Sequence, residues 1–439
     1  MYTSHIGKQF LEVYNRSQHN RYTPKEFFEK DYFPLFFDHP QYLQSPANTP
    51  LFQLIARKQT NRAKARKEML EQIHTKINAF KSGESLPEMS FAIGYQSADL
   101  MGTTSGQVSN ILLPLDDDDM YASWFGAALG IGMKGGLNLL IDNQHLLSIL
   151  HEGWELYRKH VDQNDGIDNK IETWNSIWLV HRLGEEFNSK NPATDFRPVS
   201  IGKKKEASLE RPSWTHVLFA LSRLFPKTLL NAYAYSFGQM NKTIGFVQLN
   251  LPEVTRLSQM YKALFGKMEI LKNVSELERV YEAERGFNNA CEAGIIGLRA
   301  LEPKGLRKYM PGKADRTEYP KEKKSLEAQI TYSIYISWIL AMLNNKELLA
   351  LAEKTAAALR DFVSRETRAK AARGNSVDKI LNSKSRKELI ESLTVLVEDD
   401  AAMSEICNAI VNEVMLNIPP DSLPLFVTLL RFKYAIPPK

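Results

Sequence analysis

Four consecutive carboxylates, Asp116 to Asp119, are the densest single chemistry in this sequence. Clustered carboxylates offer the hard oxygen ligands that divalent cations take. The same acids directly precede an apolar run starting at Met120, where acidic side chains cap backbone amides and favour the helix dipole. The capping role fits that position, with a meeting with a basic partner surface as the alternative, and no metal ligand is assigned. Gly130, Gly132 and Gly135 carry the glycine spacing of a dinucleotide site. That site needs a strand before it and a helix after it, so that helix amides face the pyrophosphate. Here the order is reversed, so the glycines read as a helix end leading into a turn, and no cofactor is expected. His145, His151 and His160 lie on or near one helical stretch without the His-Glu-x-x-His arrangement of a zinc hydrolase, and His181 has no evident partner. No nucleophile elbow, Walker loop or papain- or caspase-type cysteine motif occurs. No catalytic residue is assigned, and the chain reads as a non-enzyme.

Binding chemistry is better represented. Thr103, Thr104, Ser105, Gln107 and Asn110 place hydroxyls and amides at the ends of expected strands, where hydrogen bonds to phosphate, sugar or base edges are easily made. Gln239, Asn241 and Lys242 sit at an expected hairpin tip that could enter a groove, where amides read donor and acceptor patterns. Lys203, Lys204 and Lys205 would grip a backbone without reading sequence. Ordinary turn chemistry explains each loop taken alone.

The charge is uneven. The net value is only +5 over 439 residues, yet Arg57 to Lys67 holds six basic residues and no acid. Further basic clusters lie at Lys203–Arg211, Lys304–Lys324 and Arg360–Lys387. Such fields suit a polyanion, although a single cluster is equally explained as a solvated face. Apolar residues at 43% and charged residues at 24% are ordinary for a globular chain. Cys291 and Cys407 are too far apart to make a disulfide framework or zinc site by themselves, which points to a reducing, cytoplasmic compartment. The start MYTSHIGKQF lacks a secretory pattern, and the apolar stretch Ile330 to Leu343 is shorter than the roughly 20 residues a bilayer needs, so no membrane is expected.

The elements that must position these groups are predominantly helical, within an α+β class. Aromatic and Pro-rich residues 1–50 read as short helical turns and loops packed against something, for so many exposed rings would aggregate. A helix is expected from Leu51 to Phe80, ending near Gly83. Strands are expected at Ser90–Gln96, Gln107–Leu115 and Leu137–Asp142, with a helix at Met120–Leu129, as a small α+β unit. Helical patterns follow at 145–160 and 170–188, then a long exposed loop at 189–212. A hairpin is expected from Leu230–Phe237 and Thr243–Leu251, followed by helices at 253–272 and 275–300. The Pro-containing basic loop 302–324 reads as a boundary. It separates an α+β body, 1–324, from a C-terminal helical bundle, 325–439, with segments 326–343, 345–372, 385–397, 400–417 and 421–434.

Two stretches carry a family likeness: IGYQSADLMGTTSGQVSNILLPLDDDDMYASWFGAALGIGMKGGLNLLIDN and LNAYAYSFGQMNKTIGFVQLNLPEVTRLSQMYKALFG. With the aromatic start, the basic loops and the terminal bundle, they resemble the large subunit of type I CRISPR effector complexes (Cascade), in the compact form of cyanobacterial or transposon-associated systems. The resemblance implies a subunit at the foot of an RNA-guided complex, inspecting the protospacer-adjacent motif and guiding the displaced strand. Guide pairing would supply most of the sequence specificity. Its partners would be guide RNA, a double-stranded DNA target, other Cascade-like subunits and a recruited nuclease or transposition protein. No convincing His-Asp pair or Gly-Gly-Asp-Asp motif accompanies it, so no nuclease or cyclase activity is implied. Two other readings stand beside this one: a scaffold binding only protein, docked through its aromatic N-terminus, and a metal-dependent enzyme built on Asp116 to Asp119.

Overall fold

The computed structural model describes residues 1–39, 43, 62–85, 94, 115–164, 167, 170–201, 207–236, 242–266, 285–312, 325–365 and 370–436. Contacts group the chain into two compact units, Met1–Leu249 and Asn250–Lys439. Both are rich in helices, and the first carries a small sheet, as a predominantly helical α+β protein requires.

The first unit opens on α1 (Tyr2–Gln18), longer than the short turns expected there. Helical segments α2 (Pro24–Phe27) and α3 (Phe33–Phe37) follow, joined by a π-helical turn at Phe28–Tyr32. The aromatic start is not a surface awaiting a neighbour. Phe27, Phe28, Tyr32, Phe33, Phe36 and Phe37 are buried within the chain's own core. Phe27 meets Phe125 edge-on at 4.9 Å and Phe36 meets Trp154 at 4.8 Å. These geometries add to the apolar area that the rings remove from water. Arg158 secures the segment by donating to the carbonyls of Pro34, Leu35 and Asp38.

Helix α4 (Arg62–Lys81) buries Met69, Ile73 and Ile77, a spacing of four that makes one apolar stripe. Its His74 lies 2.5 Å from the Tyr121 hydroxyl through Nδ1 and 3.0 Å from Glu29 through Nε2. Gly83, at φ 79°, closes the turn after the helix, where a left-handed conformation suits glycine. Helix α5 (Asp117–Ala128) crosses α1 at backbone contact. A Cβ on Gly126 would stand 1.9 Å from the Thr3 carbonyl oxygen, and one on Gly7 would stand 2.1 Å from that of Ala122.

Strands β1 (Ile131–Gly132) and β2 (Asn138–Leu140) pair antiparallel, Ile131 opposite Leu139. Helices α6 (Gln144–Glu152), α7 (Trp154–Gln163) and α8 (Ile171–Arg182) then supply the tryptophan core. Each buried indole N–H there finds an acceptor: Trp154 on Asn175 Oδ1, Trp174 on the Gly153 carbonyl and Trp178 on the Ile149 carbonyl. His151 sits among Phe10, Tyr14 and Trp154, with ring centroids at 5.0, 5.4 and 5.1 Å.

Residues 189–212 are not simply a loop. Strands β3 (Val199–Ile201) and β4 (Ala207–Leu209) pair antiparallel within them, Ser200 opposite Ser208. Helix α9 (Trp214–Leu224), unforeseen in the sequence, comes next, capped by the Ser213 hydroxyl. Strands β5 (Leu229–Ser236) and β6 (Lys242–Asn250) match the expected hairpin arms. Within this unit the sheet runs in the order β1-β2-β5-β6. The strands expected at 90–96 and 107–115 fall, except for Gly94 and Leu115, outside the described residues.

The second unit begins with α10 (Leu251–Phe265). The helix expected at 275–300 is absent over its described part. There the chain forms α11 (Phe287–Cys291) and the short strand β7 (Ile295–Ile296). Gly294 at φ 78° ends the helix, and Glu253 reaches the Leu298 amide at 2.7 Å. Helix α12 (Leu326–Leu343) is the apolar centre, its Trp338 donating to the Leu298 carbonyl and its Tyr335 to the Lys304 carbonyl. Around it stand α13 (Glu347–Ser364), α14 (Lys370–Leu381), α15 (Arg386–Asp399), α16 (Ser404–Leu416) and α17 (Leu423–Ala435). The single segment expected at 345–372 is thus two helices, bracketing residues 366–369 outside the described set.

Two expected outcomes follow from this packing. Gly126→Ala forces α1 off α5 and costs about 3 kcal/mol by denaturant unfolding, near the upper end for overpacking. Gly374→Ala, in α14 with nothing within 4 Å, gains stability by roughly 0.5–1 kcal/mol. Burial lowers His151 from 6.5 to about 4, so between those values the unfolded chain takes up a proton that the folded chain refuses. Stability therefore falls as pH drops through that window, by on the order of 2–3 kcal/mol at its acid end. His151→Phe flattens that fall, measured as the difference in urea midpoint between pH 7 and pH 4.5.

Candidate nucleic-acid interface

Of the residues singled out for binding, Thr103, Thr104, Ser105, Gln107, Asn110, Lys203, Lys204, Lys205, Gln239 and Asn241 lie outside the described residues. Lys242 opens β6. What the structure supplies is the framework on either side of two of these groups. Paired strands β3 and β4 bracket the three lysines, and β5 and β6 bracket the Gln239–Lys242 tip. The base of the β3–β4 hairpin is tied down by Ser200 Oγ on the Ser208 carbonyl at 3.2 Å. Just beyond it, Arg211 Nε donates to Thr173 Oγ1 at 3.0 Å, and the Lys134 amide donates to the Pro212 carbonyl.

Beneath that hairpin lies a buried polar lattice that sequence reasoning missed. Asn175 Nδ2 donates to the Ala128 and Gly130 carbonyls, satisfying groups at the end of α5. A Cβ on Gly130 would strike the Tyr235 hydroxyl at 2.4 Å, and one on Gly132 would strike the backbone of Glu172 at 2.9 Å. Those glycines let the strand lie against α8, and Gly135 and Gly136, with φ of 102° and 88°, make the turn into β2. The nucleotide-like spacing is a packing device. Burial raises the Glu172 carboxyl above its ordinary range, opposed by its own backbone hydrogen bond and by Arg211. Burial also drives the Tyr235 phenol well above its usual value. Asn138 Oδ1 and Arg211 Nη1 are buried here without a hydrogen-bond partner. Nothing in the composition marks this lattice, because its members come from separate elements.

The other chemical candidates resolve into structural roles. Asp116 is the N-cap of α5: its carboxylate accepts from the Asp119 amide at 2.6 Å, and Asp119 accepts in return from the Asp116 amide. Lys8 lies 2.7 Å from Asp119 and Lys81 lies 3.0 Å from Asp117. Among the described residues no group of three or more metal-ligating side chains comes together. His160 packs on Trp174 and Phe196, and His181 lies 2.8 Å from the Pro192 carbonyl, the partner that sequence did not reveal. Cys291 and Cys407 are buried, their thiols pushed up to about 11, so neither is a ready thiolate.

The basic clusters also sort themselves. In the cluster beginning at Arg360, that guanidinium donates to the carbonyls of Lys433, Tyr434 and Ile436 at the end of α17. Arg386 donates to the Ile418 carbonyl, and Arg373 to the Phe362 carbonyl and Asp399. Arg365 bridges Asp361 and Asp400. Arg307 forks onto Glu302, and Arg66 donates through Nη1 alone to Asp38 at 2.7 Å. These guanidinium groups close helix ends and ion pairs rather than await a polyanion.

A surface remains on the sheet. Along β5, Leu230, Ala232 and Ala234 are buried while Leu229 and Asn231 are exposed and Tyr233 is half-buried, the alternation of a strand with one covered face. On β6, Phe246 is 65% exposed and Ile244 40%, against buried Val247 and Leu249. Phe246 meets Tyr233 at 5.3 Å and Tyr2 of α1 at 5.1 Å, both edge-to-face. The chain from Arg211 to Pro252 contains no Asp or Glu. The sequence matches no family model, no curated protein and no solved structure.

The cap geometry sets one outcome. Asp116→Ala costs about 1 kcal/mol of stability, whereas Asp116→Asn retains most of it, because an amide oxygen still accepts from the Asp119 amide. Thermal midpoints of the two variants distinguish this capping role from one that depends on charge.

Proposed function

We propose that this protein is a non-catalytic, nucleic-acid-binding large subunit of an RNA-guided DNA-targeting complex of the Cascade kind. In that role it reads the protospacer-adjacent motif and guides the opened strands. The observation that carries the reading is the stretch from Arg211 to Pro252, which contains no Asp or Glu and holds the paired strands β5 and β6. Preceding it, three lysines stand between the paired strands β3 and β4. Positive side chains attract a phosphate backbone, the more so where no neighbouring carboxylate in the same stretch offsets them, and β-ribbons are a recurrent means of reaching a groove. Guide RNA, duplex target and neighbouring subunits are the partners that follow, with cutting or insertion left to a recruited protein. The cytoplasm is the matching compartment. Within the described residues, no helix is long and apolar enough to cross a membrane.

The competing scaffold reading loses its aromatic argument, since the N-terminal rings already fill the chain's own core. The decisive experiment is purification with candidate partners: a short RNA and backbone-forming subunits are expected to co-purify. A monomer free of RNA and without salt-sensitive DNA binding overturns the proposal. Replacing Lys203, Lys204 and Lys205 together with Gln is expected to weaken binding across all sequences alike. It should also reduce the slope of log affinity against log salt by about 2, as lost phosphate contacts do.

A further inference from the structure

From Glu388 to Leu430 the sequence holds eight Asp or Glu and no Lys, Arg or His. That reverses the balance of a chain whose net charge is +5. Helices α15 and α16 span most of this stretch, joined by a single 3-10 turn at Ala401–Met403, so they run antiparallel. Arg386 donates to the Ile418 carbonyl, which sets the start of α15 beside the end of α16. Each helix buries one stripe and exposes the opposite one. On α15, Leu389, Leu393 and Leu396 are buried, while Glu391, Val395 and Glu398 are exposed. On α16, Cys407, Ile410 and Val414 are buried, while Glu405, Met415 and Leu416 are exposed.

The outer stripe is not simply a solvated polar face. Val395 is 52% exposed, Met415 51% and Leu416 78%, three of the seven large exposed hydrophobics of the described chain. Apolar side chains left in water within a polar surround mark an interaction surface. The charge beside them is only partly neutralised. Arg373 pairs with Asp399, Arg365 with Asp400 and Lys387 with Glu391. Glu398, Glu405 and Asp421 meet no cation at salt-bridge distance among the described residues.

We infer that the outer face of α15 and α16 docks a partner protein through a cationic amphipathic helix. Its apolar positions would cover Val395, Met415 and Leu416, and its Lys or Arg side chains would face the carboxylates. The inference goes beyond the nucleic-acid reading and does not rest on it. Charge complementarity selects this occupant: a polyanion is repelled here, and a second copy meeting the same face would set like charges together. An amphipathic helix supplies apolar anchors at i, i+3, i+4 and i+7 with charge on either side of them, which matches apolar positions interspersed with acids.

The test uses the full chain and a fluorescein-labelled synthetic helix with Leu at i, i+3, i+4 and i+7 and Lys at the other positions. A control peptide keeps the Leu pattern and carries Glu in place of Lys. The Lys peptide is expected to bind and the Glu peptide not to bind, although the chain as a whole is net positive. Glu398→Gln with Glu405→Gln is expected to lower affinity roughly fivefold and to flatten its dependence on salt. Val395→Thr with Leu416→Ser is expected to lower it about tenfold and leave the salt dependence unchanged. These side chains are exposed, so both double variants should keep the parent melting temperature. Equal binding of the two peptides removes the role of charge and overturns the inference. Parent-like affinity in both double variants places the peptide elsewhere and overturns it too. A parent dimer that Val395→Thr with Leu416→Ser dissociates, and that the Lys peptide does not, would make the face a contact between copies instead.

Discussion

The approach of α1 to α5 is the constraint on which the first unit turns. Gly7 and Gly126 bring the two backbones so close that a methyl group on either would overlap a carbonyl of the other helix. Contact at that distance fixes both the separation of the helices and their axial register, because one turn of slip would bring a side chain into the gap. Register then decides what each end of α1 can reach. Its Lys8 arrives at the acids that cap α5, and its Tyr2 arrives over the sheet against Tyr233 and Phe246. Through Tyr2 the helix crossing is thus linked to the sheet surface. A loosened crossing would disturb the sheet surface without touching it.

Cationic side chains are divided between inner and outer duties according to their geometry. Arg158, Arg223, Arg360, Arg373 and Arg386 each donate to backbone carbonyls. A planar fork with several N–H groups can satisfy two or three acceptors at once, which a lysine ammonium on its flexible stem does less economically. Carbonyls left open at a helix end are costly when removed from water, so these arginines answer a requirement of folding. The count of basic residues in the Arg360 cluster consequently overstates the charge it can offer a ligand.

The legible parts of the sequence were those governed by local periodicity. The α5 boundaries, the β5–β6 arms and the terminal helices follow from apolar spacing and capping residues, so they stand within a few residues of expectation. The misses have physical causes. Strands β3 and β4 are three residues each, too short for alternation to show, and their pairing comes from the chain turning back on itself. Helix α9, SWTHVLFALSRLF from Ser213, was passed over between a polar loop and a strand signal although its apolar spacing is helical; of Trp214 to Ser222 only His216 is not buried. At 285–300, helix-favouring composition gave way to glycines at 294 and 297, the second admitting Glu253 to the Leu298 amide. The binding loops named from sequence alone fall outside the described residues, apart from the backbone of Lys242. Phe246 was passed over because an apolar residue in an alternating strand reads equally well on either face until the covering helices are known.

The sheet itself explains why one aromatic is left out while its neighbours are enclosed. Asn138, Leu139 and Leu140 of β2 are buried on both faces, and Tyr235 beside them is fully covered, its hydroxyl reaching toward Gly130. Covering both faces there requires polar groups to be housed inside, which is the origin of the Glu172, Asn138 and Arg211 lattice. Toward β6 the covering stops, and the same alternation that buries Val247 and Leu249 turns Phe246 outward. Phe246 packs edge-to-face on Tyr2 and Tyr233, so part of its apolar surface is still removed from water.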